Sequence, residues 1–189
     1  MPLRRTSVTS AAGAPGSSTG SLPSRITGYS QYRRQYPKDG AVVNIAVSAA
    51  VNSTVRADIE PIARVVQETG VPIEACTFIG SSPIRQYAED WTLERMSKAT
   101  EDAVTFAVGE GLRVMYVTED TTRAAPDTLK ALYTLAIECG ARRICLADTV
   151  GHATPHGVRA LVRFIREEVV APTGVAVKID FHGHRDRGL

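Results

Sequence analysis

Residues 141–165 read ARRICLADTVGHATPHGVRALVRFI. An apolar run of strand length, Ala141 to Thr149, closes on a carboxylate and a hydroxyl. Thr154 then stands just before Pro155, a capping hydroxyl followed by a proline suited to the first helical position. Beyond it Val158, Leu161, Val162 and Ile165 recur at i, i+3, i+4 and i+7, one face of a helix. The stretch is therefore a strand, a polar turn and a helix in immediate succession.

The same unit repeats in both directions. Apolar runs of strand length also occur at 41–49 (AVVNIAVSA), 71–80 (VPIEACTFIG), 112–120 (LRVMYVTED) and 175–183 (VAVKIDFHG). Between them lie the helical stripes Ile59, Ile62, Ala63, Val66 and Leu129, Leu132, Tyr133, Ala136, with a looser one at Leu93, Met96, Ala103, Ala107. Thr92 is placed to cap the helix that begins TLERM, and Gly70, Gly111 and Gly140 fall where helices end shortly before strands. The reading is β-α-β-α-β-α-β-α-β with one helix in each interval. Strands joined by single helices pair in parallel through right-handed crossovers, so the class is α/β. Periodicity leaves open whether the sheet is doubly wound or part of a (β/α)8 barrel.

Composition sets the outer bounds. A chain of 189 residues with 43% apolar content can bury a real core, and a net charge of +2 with 22% charged residues calls for neither nucleic acid nor an anionic membrane. Cys76, Cys139 and Cys145 form no CxxC pair and sit in apolar segments, which suits reduced packing thiols. No apolar stretch approaches the ~20 residues of a membrane span, so the expectation is a soluble cytoplasmic protein. Residues 1–38 are rich in Ser, Gly, Pro and Arg and contain no acid. They read as a disordered tail, with an organellar transit peptide or an extension without function as alternatives, ahead of a domain at 39–189.

Chemistry collects after the apolar runs: Ser81 and Ser82 after the second, Thr118, Glu119 and Asp120 after the third, Asp148 and Thr149 after the fourth, His182, His184, Arg185 and Asp186 after the fifth. All are at C-terminal ends of parallel strands, which in a barrel ring one mouth. In a strand, residues i and i+2 share a face about 6–7 Å apart, so His182 and His184 can aim both rings at one divalent ion. The alternative is a surface pair bonded to a carboxylate such as Asp186. Glu119 and Asp120 are adjacent and point apart, so only one of them faces the mouth. Thr149 can equally cap a following turn. Cys76 reads as a buried thiol, and Tyr87 and Trp91 as loop residues that cover the mouth or shield a helix end.

Four ordered stretches, TFIGSSPI at 77–84, TEDTTR at 118–123, ADTVGHATP at 147–155 and HGHRDRGL at 182–189, together resemble the 2-isopropylmalate synthase branch of the pyruvate carboxyltransferase, or HMG-CoA-lyase-like, TIM barrels. The resemblance implies an enzyme that condenses acetyl-CoA with an α-keto acid in branched-chain amino-acid biosynthesis, with homocitrate and citramalate synthases as neighbours and a related lyase as the alternative. It implies a divalent cation, Mg2+, Mn2+ or Zn2+, bound by His182 and His184. Thr149 would bind the keto-acid carboxylate, Ser81 and Ser82 would line the substrate site, and Glu119 would orient ligand or water. A homodimer is implied for the full-length parent.

The departures carry their own implication. Relatives open on an Arg-Asp strand and close on a Gly-rich, Asn-bearing loop that this sequence does not contain. Its five strands match the third to seventh of eight. Cys76 stands where many relatives have His, His152 where Tyr is usual, Arg185 where Asn is common, and Met115 where Glu or Arg is frequent. The expectation is a partial barrel, poorly stable or inactive by itself; a noncatalytic remnant or interaction module is the reading from a different class.

Overall fold

The computed structural model describes the backbone of residues 43–48 and, from there on, residues 55–184. Residues 1–38, Arg185 and Asp186 lie outside the described residues. By contact the chain divides into two units, 1–40 and 41–189, and the second holds everything that follows.

Five strands, β1 Val43–Ser48, β2 Ile73–Gly80, β3 Arg113–Glu119, β4 Arg143–Asp148 and β5 Lys178–Gly183, form one sheet. All four pairings are parallel and the spatial order is β1-β2-β3-β4-β5. That order decides between the two architectures. A doubly wound sheet reverses direction at a switch point, whereas a barrel wall always adds the next strand on the same side. The sheet is a five-stranded portion of a (β/α)8 wall.

The helices are α1 Val55–Thr69, α2 Pro83–Ala88, α3 Leu93–Gly109, α4 Pro126–Glu138 and α5 Pro155–Phe164, which runs on as a π-helical segment to Val170 and a last turn at Ala171–Thr173. One expectation needs correction. The interval between β2 and β3 holds two helices, and Tyr87 lies in the short α2 rather than in a loop. Six residues with no buried side chain give no helical stripe, so periodicity could not reveal α2. The punctuation behaves as expected: Thr92 Oγ1 accepts the Arg95 amide and Thr154 Oγ1 accepts the Gly157 amide, both at 3.1 Å. Gly70, Gly111 and Gly140 end helices with φ of 65°, 78° and 114°.

The core lies between the sheet and α1, α3 and α4. Ala75, Thr77 and Ile79 of β2, Val114, Tyr116 and Thr118 of β3, and Ile144 and Leu146 of β4 point into it and meet Ile59, Met96, Val104, Leu129 and Leu132. Two tyrosines carry polar groups into this layer with partners attached. Tyr116 Oη bonds Thr100 Oγ1 at 2.7 Å, while Tyr133 Oη donates to the Cys145 carbonyl at 2.7 Å and meets Thr118 Oγ1 at 2.8 Å. Burial pushes the Tyr133 phenol up to about 12, so it stays a donor. Among the described residues no helix is long and apolar enough to cross a membrane.

Candidate functional site

The opposite, inner face is read off the ladder register, since paired residues of parallel strands share a face. Phe78, Val117, Cys145 and Asp180 form one level, and Cys76, Met115, Arg143 and Lys178 the level below it toward the N-terminal ends. Gly80 pairs with Glu119 and Ala147 with His182, and because Thr118 pairs with Leu146 these four form the uppermost level. Glu119 and His182 therefore stand two strand spacings apart, about 10 Å along the sheet, on one side of it. His184 follows on that side two residues on. The side-chain contacts agree: Arg143 Nη1 reaches Glu74 Oε2 at 3.5 Å across β3 and Asp180 Oδ2 at 3.3 Å, all on the inner face.

His182 and His184 are exposed, their ring centroids 5.3 Å apart and their planes at 75°. Two imidazoles at that separation suit neighbouring positions on a divalent ion, whose bonds to ring nitrogen are about 2 Å long. Among the described residues no third His, Cys, Asp or Glu joins them. The chemistry of this donor pair fits a divalent ion, to which it could offer two ring nitrogens.

Each remaining site residue has a definite place. Glu119 is about one-third exposed and its carboxylate meets Arg85 Nη2 at 3.5 Å. Asp120 turns the other way, with φ of 63°, a backbone conformation that Asp tolerates, and its buried carboxylate grips Arg123 Nε at 2.7 and 2.9 Å. The two acids do point apart, and Glu119 is the one at the mouth. Thr149 does not cap a following turn. Its Oγ1 accepts the Asp120 amide at 2.8 Å, tying the end of β4 to that of β3 and leaving its own O–H to donate. Ser81 and Ser82 are completely buried. Ser81 spends both amide and hydroxyl on the Glu119 carbonyl, each at 3.1 Å, whereas the Ser82 hydroxyl has no partner among the described residues.

Asp148 organises the loop that leads out of β4. Its carboxylate accepts the Ala153 amide (2.9 Å), the Thr122 hydroxyl (3.1 Å), the His152 amide (3.2 Å) and His152 Nδ1 (3.3 Å). Burial works to raise this carboxyl, but those donors outweigh it and hold it below the usual range. The Asp148 carbonyl accepts the amides of Gly151 and His184, so one residue fixes both the loop and the end of the HxH strand. Cys76 and Cys145 are buried thiols that burial pushes up to about 11, which removes Cys76 as a nucleophile. Trp91 is buried with the Arg95 guanidinium 5.1 Å over its ring, and Tyr87 is 90% exposed.

Arg85 is the mouth residue that sequence reasoning missed. Its side chain crosses directly over Gly80, where a Cβ would lie 3.0 Å from Nε, and its guanidinium spans Glu119 and Glu89. The available signal was Gly80 itself, since a glycine closing a strand marks a close approach.

Residues 39–189 match the family model described as HMGL-like. The chain is 34% identical over 114 residues to the 2-isopropylmalate synthase of Sediminispirochaeta smaragdinae, a match that covers 59% of this chain and 22% of that protein. It is 27% identical over 148 residues to the mitochondrial homocitrate synthase of Saccharomyces cerevisiae, covering 78% of this chain and 32% of that one. Among solved structures it is similar to the HMG-CoA lyase of Brucella melitensis, with TM-score 0.61, 16% identity, and coverage of 81% and 51%. The HMG-CoA lyase of Bacillus subtilis gives 0.62, 18%, 80% and 48%. At such identities the structural likeness bears on the fold alone, and the fold is that of a partial TIM barrel. The chain spans between a fifth and a third of the length of these curated relatives.

Proposed function

We propose that this chain, which belongs to the HMGL-like family, carries the catalytic wall of a metal-dependent synthase of the 2-isopropylmalate type, condensing acetyl-CoA with an α-keto acid. The observation that carries the reading is the pair of imidazoles, 182 and 184, on the same face and at the same end of the sheet as Glu119.

His182 and His184 would hold Mg2+, Mn2+ or Zn2+, which when bound polarises the keto-acid carbonyl as a Lewis acid. Thr149, with its oxygen already engaged by the Asp120 amide, donates its O–H to the keto-acid carboxylate. Glu119, steered by Arg85, orients ligand or water at the mouth. Ser81 shapes the mouth by holding the Glu119 backbone, and the Ser82 hydroxyl is the one of the two with bonding capacity left for a substrate. In a full-length parent, residues 39–189 would form part of the catalytic domain of a cytoplasmic homodimer.

Two measurements test this. On the present chain, Mn2+ titration followed by water-proton relaxation should give binding that weakens at least about tenfold in His182→Ala and in His184→Ala. In a protein that carries this wall within a closed barrel, CoA release from acetyl-CoA should depend on an α-keto acid and on added metal. Release without keto-acid dependence refutes the synthase, and cleavage of a 3-hydroxyacyl-CoA in its place supports the related lyase.

A further inference from the structure

In the helical layer, outside the sheet, the first half of α5 stands off from α4. Val158, Leu161 and Val162 of its apolar stripe stay half-buried, while Ile165 and Val169 further along are buried completely. The wedge left between the helices is a cavity of about 520 Å³, a size typical of small-molecule sites. Its apolar wall is Pro126 and Leu129 on one side and Leu161 and Phe164 on the other. Gly157 and Ala160 face it, one turn apart, and are too small to fill it.

The wall carries one imidazole. His152 lines the cavity, and its Nδ1 is held 3.3 Å from Asp148 Oδ1. A carboxylate can only accept, so Nδ1 carries the proton and Nε2 of the neutral ring becomes an acceptor. Thr121 and Thr122 also border the space, but their hydroxyls donate to the protein itself; Thr154, whose Oγ1 accepts the Gly157 amide, stands at the exposed rim. None of the lining residues is Lys, Arg, Asp or Glu. With no cation on the wall and a carboxylate behind the imidazole, an anion is disfavoured there.

We infer that the cavity between α4 and α5 is a second ligand site, for a small neutral molecule with an apolar body and one O–H or N–H that donates to His152 Nε2. It does not depend on the synthase reading, because neither CoA phosphates nor a keto-acid carboxylate suits this wall. The site is built from a chain of three groups, Asp148, His152 and the ligand donor, in which the first fixes the tautomer of the second.

The test uses three probes of one shape: 2-naphthol, its methyl ether, which lacks the donor, and 2-naphthoate, which is charged. Each is titrated into the full chain at pH 7, followed by the methyl signals of Leu129 and Leu161. The expected result is saturable binding of 2-naphthol, with the ether and the naphthoate weaker by about tenfold, the worth of one buried hydrogen bond. In His152→Phe the preference of naphthol over ether should collapse to less than about twofold. Ala160 is exposed, so Ala160→Leu and Ala160→Trp can be tolerated while filling the wedge, and both should abolish the shifts in a chain whose circular dichroism is unchanged. Equal affinity for naphthol and ether in the unaltered chain overturns the inference, as does binding that survives both Ala160 variants. His182→Ala must leave the titration unchanged; a loss there would merge this site with the mouth and overturn the inference too.

Discussion

Replacing Asp148 by Asn is the sharpest perturbation of the region around the mouth. The variant keeps the shape of the side chain but removes the charge and turns one acceptor oxygen into a donor amide. Four donors converge on the native carboxylate, and the substituted side chain can satisfy at most those on one oxygen. Oδ2 accepts the Ala153 amide, so on that side a donor would face a donor. Leaving one buried amide unsatisfied costs ~1–3 kcal/mol, and loss of charge assistance adds a comparable amount, partly recovered by relaxation of the loop, for a net of about 2–3 kcal/mol. With a urea slope of ~2 kcal/mol per molar, the midpoint should fall by about 1–1.5 M. Trp91, the single tryptophan, is buried in the same unit and reports the transition by fluorescence. The pH dependence has a fixed sign. The carboxyl is held below its unfolded value, about 3.9, so its contribution is complete above that value and is lost as pH falls through the folded one. The gap between the native chain and Asp148→Asn should thus be constant from about pH 7 to 5 and shrink below about pH 4. A gap under about 0.5 kcal/mol at pH 7, or one that does not change down to about pH 3, refutes the argument that this carboxylate holds the loop as an anion.

Three other outcomes follow from the same contacts. Tyr133→Phe deletes the donor to the Cys145 carbonyl in a fully buried layer and should cost about 1–2 kcal/mol by urea unfolding, with no effect on Mn2+ binding. Gly151→Ala places a Cβ 2.7 Å from the His184 carbonyl oxygen at a φ of 61°, so it should displace the end of β5 and weaken Mn2+ binding at least about tenfold while far-ultraviolet circular dichroism stays the same. Thiol labelling at pH 8 should modify the half-buried Cys139 first, with Cys76 and Cys145, pushed up to about 11 by burial, labelled only on unfolding; mass spectrometry of the digested protein gives the order.

Elements and strand faces are legible in the amino-acid sequence alone. The strand runs, the stripe Leu129, Leu132, Tyr133, Ala136 and the caps at Thr92 and Thr154 depend on contacts within a few residues, and the periods of two and 3.6 express them directly. The same period of two places His182 and His184 on one side of β5. Strand order needs the folded chain, because periodicity is the same in a doubly wound sheet and a barrel wall. Nor could the chain's own pattern reveal that Arg85 lies over Gly80 against Glu119, that Asp120 turns back to Arg123, or that Asp148 gathers four donors. Arg85 and Glu119 are 34 positions apart and meet only because parallel crossovers bring the ends of β2 and β3 side by side. Local spacing encodes which way a side chain points, and the crossover encodes what it meets.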